Sequence, residues 1–184
     1  MSNPSQSPLK LPNDAPNLYL VGFMGTGKSA VGQRVAQQLH MPFCDSDHWI
    51  ESHTGQSIPQ IFSEQGEAGF RELERQFIES AQPDHRTVIS VGGGLVTNAS
   101  LLQRMQQVGI VFVLYASVDT IYSRIALDPN RPLMQVDDPR ERIQSLLSQR
   151  EAIYKQAGIG IMTDGYGIQE VADKVARIYL SHVP

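Results

Sequence analysis

The run Gly22-Phe23-Met24-Gly25-Thr26-Gly27-Lys28-Ser29 satisfies G-x-x-x-x-G-K-[ST] at every fixed position. Glycines let backbone N–H groups wrap around phosphate oxygens, and a helix starting at the lysine adds its partial positive charge. Lys28 reaches the β and γ phosphates, and the Ser29 hydroxyl suits Mg²⁺. Gly25, Thr26, Gly27, Lys28, Ser29 and Ala30 are the expected nucleotide contacts. The flanks agree: Leu18–Val21 reads as a short buried strand, and Val31, Val35, Ala36 and Leu39 follow at helical spacing. A nucleoside triphosphate is the expected ligand.

Two carboxylates come next, in Asp45-Ser46-Asp47 after a second apolar run. Beside a phosphate site they can divide the work: Asp45 serves a metal ion, and Asp47 orients or deprotonates an acceptor hydroxyl. A plainer role for Asp47 is to cap the following helix, and both roles can hold at once. Gly92-Gly93-Gly94 closes a third strand, Val88–Val91, and three successive glycines there imply close approach of another group. Arg71 lies in a helix with Glu74 three positions on, where the carboxylate can orient the guanidinium. Arg150 sits late in a second long helix. Two arginines in one cleft suit bidentate capture of an anionic acceptor. Residues 128–138 hold two prolines among acidic and amide residues and read as an exposed lid over about 127–138 carrying Arg131. Arg124, just upstream, has the chemistry to stack on a purine.

The elements that must position these residues alternate. Strands are expected near 18–21, 42–44, 88–91, 111–115 and 160–163. Helices are expected near 28–40, 48–54, 59–65, 67–81, 99–108, 118–127, 139–157 and 169–181. Ser57 and Gln60 have capping-box spacing, and Asn98 and Ser117 are expected N-caps. This order predicts an α/β protein with a parallel sheet covered on both faces and ligands at the carboxyl ends of its strands. The chain has 184 residues, 41% hydrophobic and 18% charged, enough for one compact domain, which is placed at 18–184. Residues 1–17 carry four prolines with Ser, Asn and Gln and are expected to form a flexible tail. A net charge of −4 without a basic run argues against nucleic-acid or membrane partners. The single cysteine, Cys44, fits a reducing cytoplasm, and a monomer is the expected state.

In order and spacing, the motifs at Gly22–Ser29, Asp45–Asp47, Phe70–Glu74 (F-R-x-x-E), Gly92–Gly94, Arg131–Leu133 (R-P-L) and Arg150–Tyr154 (R-x-x-x-Y) resemble those of the shikimate kinases. The resemblance spans Leu18 to Leu180. It implies a three-layer phosphate-loop fold of the nucleoside-monophosphate-kinase type with a five-stranded parallel sheet. It also implies transfer of the ATP γ-phosphoryl to the 3-hydroxyl of shikimate, on the way to chorismate and the aromatic amino acids. By the same resemblance Asp47, Arg71, Gly92, Gly93, Gly94 and Arg150 hold shikimate. Lys28 and Arg131 meet the phosphoryl group, Ser29 and Asp45 serve Mg²⁺, and Arg124 flanks adenine. A second adenine-contacting element is not recognisable in Thr163–Gly167. A gluconate kinase would share the phosphate loop and lid without needing D-S-D, F-R-x-x-E and G-G-G together. A GTPase would show N-K-x-D, which is absent. A kinase-like binding protein that had lost catalysis would be expected to lack Lys28, Asp47, Arg71 or Arg131, and all four stand.

Overall fold

A computed structural model describes residues 11–125 and 136–183. Five parallel strands form one sheet in the order β2-β3-β1-β4-β5: β1 Asn17–Gly22, β2 Phe43–Asp45, β3 Val88–Ser90, β4 Gly109–Tyr115 and β5 Ile159–Met162. The central strand β1 is buried along its whole length, and alternation divides its side chains between two cores. Tyr19 and Val21 join Ile89, Val111 and Val113 on one face, packed by Leu101, Met105, Ile121 and Ile143. Leu18 and Leu20 join Val88, Phe112, Leu114 and Ile161 on the other, packed by Val35, Leu39, Ala172 and Val175. Helices α1 (Lys28–Leu39) and α7 (Ile168–His182) supply that second layer. Helices α4 (Ala99–Val108), α5 (Val118–Ile125) and α6 (Pro139–Ala157) supply the first. The result is the three-layer parallel architecture expected from the alternating pattern.

The pair α2 (Ser46–Thr54) and α3 (Ile58–Gln76) carries a small core of its own, in which Ile50, Ile61 and Phe70 are buried. Ser57 and Gln60 form the expected capping box at the start of α3. The expected break between two helices is a kink at Gly66, where φ is 69°. Beyond Gln76 the helix continues as a π turn over Phe77–Ala81 that buries Phe77 and Ile78.

Two expectations need correction. The tail expected at 1–17 includes residues packed on the domain. Leu11 and Ala15 are buried in the second core, Ala15 accepts a backbone bond from Arg86 (2.7 Å), and Pro16 accepts the Tyr179 hydroxyl (2.6 Å). Apolar residues spaced among prolines can dock without forming an element, so composition misjudged them. Helix α2 starts at Ser46 rather than His48, and its cap is Asp45, not Asp47. Of the expected lid at 127–138, residues 127–135, Arg131 among them, lie outside the described residues; Asp138 caps α6 by accepting from Glu141 N (3.0 Å).

Candidate active site

The turn after β1 runs straight into α1, and its backbone needs glycine: φ is 77° at Gly25 and 92° at Gly27, the N-cap of α1. Gly25 also admits α5, because a Cβ there would stand 2.8 Å from Cγ2 of Ile125. Thr26 is buried and donates its hydroxyl to Phe23 O (2.8 Å), while Lys28 Nζ donates to the same carbonyl (3.2 Å). These bonds fold the loop back on itself. A cleft of about 300 Å³ opens here at the carboxyl end of the sheet. Gly25, Gly27, Lys28, Ser29, Ala30, Asp45, Asp47 and Arg124 are among the residues that line it. Arg124 closes one side by donating Nη1 to Gly25 O (3.0 Å).

Asp45 uses its two oxygens differently. Oδ1 accepts from Asp47 N (3.0 Å), which starts α2, and Oδ2 accepts from the Ser29 hydroxyl (2.6 Å). The phosphate loop and the end of β2 are therefore tied through the two groups expected to serve a metal. Asp45 does the capping, and Asp47 lines the cleft. Ser46, between them, is fully buried and accepts from Gly92 N (3.2 Å), pinning the triple-glycine turn to the D-S-D segment. Sequence reasoning gave Ser46 no role. Its position at the end of a strand was the available signal.

None of the three glycines at 92–94 has a positive φ, so conformation does not explain them. Space does. A Cβ on Gly92 would stand 2.2 Å from Oε1 of Glu74, one on Gly93 2.5 Å from Gly22 O, and one on Gly94 2.3 Å from Nη2 of Arg71. Each glycine makes room for one part of the site. The expected close approach is thus three separate approaches, which no local pattern specifies.

Arg71 donates Nη1 to Glu74 Oε2 (2.6 Å) and Nη2 to Glu67 Oε1 (2.8 Å), so its guanidinium is held from both sides along α3. Glu74 is fully buried, and its Oε1 has no hydrogen-bond partner. Burial pushes its carboxyl up to about 7 against the opposing pull of Arg71, and the Asp47 charge adds to the rise. Arg150 acts on Glu74 in the opposite sense, which places it in the same electrostatic neighbourhood. Its guanidinium lies 5.8 Å from the centre of the Phe23 ring. The fold therefore gathers Asp47, Arg71, Glu74, Arg150 and the glycine turn around one end of the sheet. A hollow of about 610 Å³, with Arg71, Glu74, Gly94 and Thr97 in its wall, opens beside them.

The β5–α7 loop contributes a residue that sequence reasoning missed. Both Asp164 oxygens accept from Ser117 N (3.1 and 2.9 Å), ahead of α5. Desolvation raises its carboxyl, but hydrogen bonding from Thr120 and Ser117 outweighs it and holds the carboxyl below the ordinary range. Asp164 so fixes the helix that carries Arg124. The first residue of the T-D-G turn bonds the same neighbourhood, since Thr163 Oγ1 donates to Tyr115 O (3.0 Å).

The family model for shikimate kinase matches residues 24–179. The chain belongs to the shikimate kinase family. A shikimate kinase from Thermodesulfovibrio yellowstonii is 43% identical over 163 residues, covering 89% of this chain and 94% of that protein. Among solved structures, the shikimate kinase of Acinetobacter baumannii in complex with shikimate superposes with a TM-score of 0.87 at 39% identity. The match covers 91% of this chain and 94% of the other. The shikimate kinase of Aquifex aeolicus gives 0.77 at 33% identity, covering 90% and 96%. Family membership makes the chain an ATP-dependent kinase on a nucleoside-monophosphate-kinase-type fold. Among the described residues, no helix is long and apolar enough to cross a membrane.

Proposed function

We propose that this shikimate kinase family member carries the γ-phosphoryl of ATP to the 3-hydroxyl of shikimate through the cleft between the phosphate loop and the D-S-D segment. The observation that carries the reading is the convergence of Lys28 and Asp47 on one cleft, with Arg71 and the glycine turn adjoining it. Shikimate offers one carboxylate and three hydroxyls. Arg71, already oriented by Glu67 and Glu74, presents a fixed fork to the carboxylate, and Arg150 adds a second cation. Asp47 accepts from the ring hydroxyls, including the one that attacks, and can take its proton. Gly92, Gly93 and Gly94 present the backbone of their turn to the substrate beside Arg71. Lys28, with Arg131 assigned from sequence alone, meets the charge on the transferring group, and Arg124 flanks the base. The protein contributes positioning and charge neutralisation rather than covalent steps.

The donor set near Lys28 fits Mg²⁺. Ser29 and Asp45 supply one hydroxyl and one carboxylate 2.6 Å apart at the cleft, hard oxygen ligands that leave most of an octahedron to water and phosphate oxygens. Bound there, Mg²⁺ would neutralise charge on the β and γ phosphates. A monomer acting in the cytoplasm without nucleic-acid or membrane partners is the accompanying reading, supported by the charge balance and the single cysteine.

Calorimetry on Arg71→Lys, with Lys28→Ala in parallel, tests these assignments. An ammonium cannot reproduce the bidentate fork, so Arg71→Lys should weaken shikimate binding about tenfold or more while ATP binding stays near wild type. Lys28→Ala should cut turnover by about 10²–10³-fold with the fold intact. Equal losses for both ligands in Arg71→Lys would remove Arg71 from the acceptor site, and near-native turnover in Lys28→Ala would remove Lys28 from the phosphoryl path.

A further inference from the structure

The R-x-x-x-Y segment contains a tyrosine that the reaction as described leaves unused. Tyr154 lies on α6 one turn after Arg150 and is 2% exposed. Its ring belongs to the first core, yet its hydroxyl reaches out of that core and donates to Gly93 O (2.8 Å). A Cβ on Gly93 would stand 3.1 Å from the same oxygen, so the glycine is what lets the phenol come this close. Arg150 stands one turn earlier on the same face of α6, and its positive charge acts on the hydroxyl.

The consequence follows from the planarity of the peptide unit. The carbonyl of Gly93 and the N–H of Gly94 belong to one trans peptide and point in opposite directions. Anchoring the carbonyl on Tyr154 fixes the aim of the Gly94 N–H, at the glycine whose missing side chain makes room for the Arg71 guanidinium. Glycines on both sides of this bond make rotation of the peptide unusually easy without such an anchor. One hydroxyl thus anchors the backbone turn from the helix that also carries the second arginine of the acceptor site.

We propose that Tyr154 is a positioning residue of the acceptor site, whose hydroxyl fixes the Gly93–Gly94 peptide in register for the anionic, hydroxylated acceptor. This rests on the assignment of Arg71, Arg150 and the glycine turn to shikimate. It predicts a loss confined to one substrate.

Tyr154→Phe keeps the ring and its packing and removes only the oxygen. Steady-state kinetics should show KM for shikimate raised about tenfold and KM for ATP within about twofold of wild type, the size expected for one buried hydrogen bond. With ¹⁵N-glycine labelling, the amide signals of Gly93 and Gly94 should move in the free variant while those of Gly25 and Gly27 stay in place. An unchanged KM for shikimate, a parallel rise in both KM values, or unmoved Gly93 and Gly94 signals overturns the proposal in favour of a purely structural tyrosine. Arg71→Lys run alongside separates the two readings. If it weakens shikimate binding and Tyr154→Phe does not, only this inference falls; if Arg71→Lys leaves shikimate binding intact, the acceptor-site assignment falls and this inference with it.

Discussion

Replacing Glu74 with Gln should flatten the dependence of stability on pH. Glu74 has no exposed surface, one oxygen bonded to Arg71 and the other without a partner, and Asp47 near by. Its carboxyl is raised from an ordinary 4.5 to about 7, so the folded protein holds this proton more tightly than the unfolded chain does. The sign follows. The proton's contribution to stability is complete below about 4.5, shrinks as pH rises, and is gone once pH passes about 7. A tenfold change in proton affinity is worth about 1.4 kcal/mol, so the wild type should lose roughly 3 kcal/mol over that window through this one group. Glutamine keeps the shape and an acceptor for Arg71 but has no proton to release. Urea unfolding of both proteins from pH 4.5 to 8 measures the effect, and the histidines common to both cancel in the difference. Stability curves that run parallel across the window would refute the reasoning, because they would mean that Arg71 holds Glu74 ionised at every pH tested.

Two further outcomes follow from the same geometry. A substrate carboxylate arriving at Arg71 adds negative charge beside Glu74 and should favour its protonated form, so shikimate binding near pH 7.5 should take up a fraction of a proton and weaken as pH rises. Calorimetry in buffers of different ionisation enthalpy detects this, and a buffer-independent binding enthalpy would exclude it. Gly93→Ala would place a methyl 2.5 Å from Gly22 O and 3.1 Å from the Tyr154 hydroxyl. The first contact sets a Cβ, whose place the backbone fixes, against a backbone carbonyl and cannot be relieved by a side-chain rotation, so a loss of about 1–3 kcal/mol in stability is expected by urea titration.

Much of the site was readable because its chemistry is written in contiguous residues. The phosphate loop needs glycines, a lysine and a hydroxyl at fixed offsets along one turn, and Gly25 and Gly27 do adopt the backbone that only this pattern permits easily. The five strands lie within about two residues of their expected bounds, since strand and helix periodicities are local properties of the chain. The two errors have different causes, one local and one tertiary. Asp45 rather than Asp47 caps α2 because Asp45 ends β2 in an extended conformation and can turn one oxygen back to the Asp47 N–H. Leu11 and Ala15 are buried because they join the core formed by β1, α1 and α7, a fact that prolines and amides in the sequence concealed.

By itself the sequence determined the fold class and the phosphate-loop motif, and it supplied the residues proposed to meet the acceptor. Each depends on periodicity, on backbone freedom or on a motif within one or two turns of chain. Only the tertiary structure decided what the three glycines at 92–94 are for. It also decided that Ser46 anchors their turn, that Tyr154 reaches them from a helix some sixty residues away (|i−j| = 61), and that Glu74 titrates near neutrality. Those properties belong to the approach of separate segments and to the water they exclude. A carboxyl has its ordinary proton affinity until its neighbours are packed around it, and a glycine is a gap only once something else fills the space.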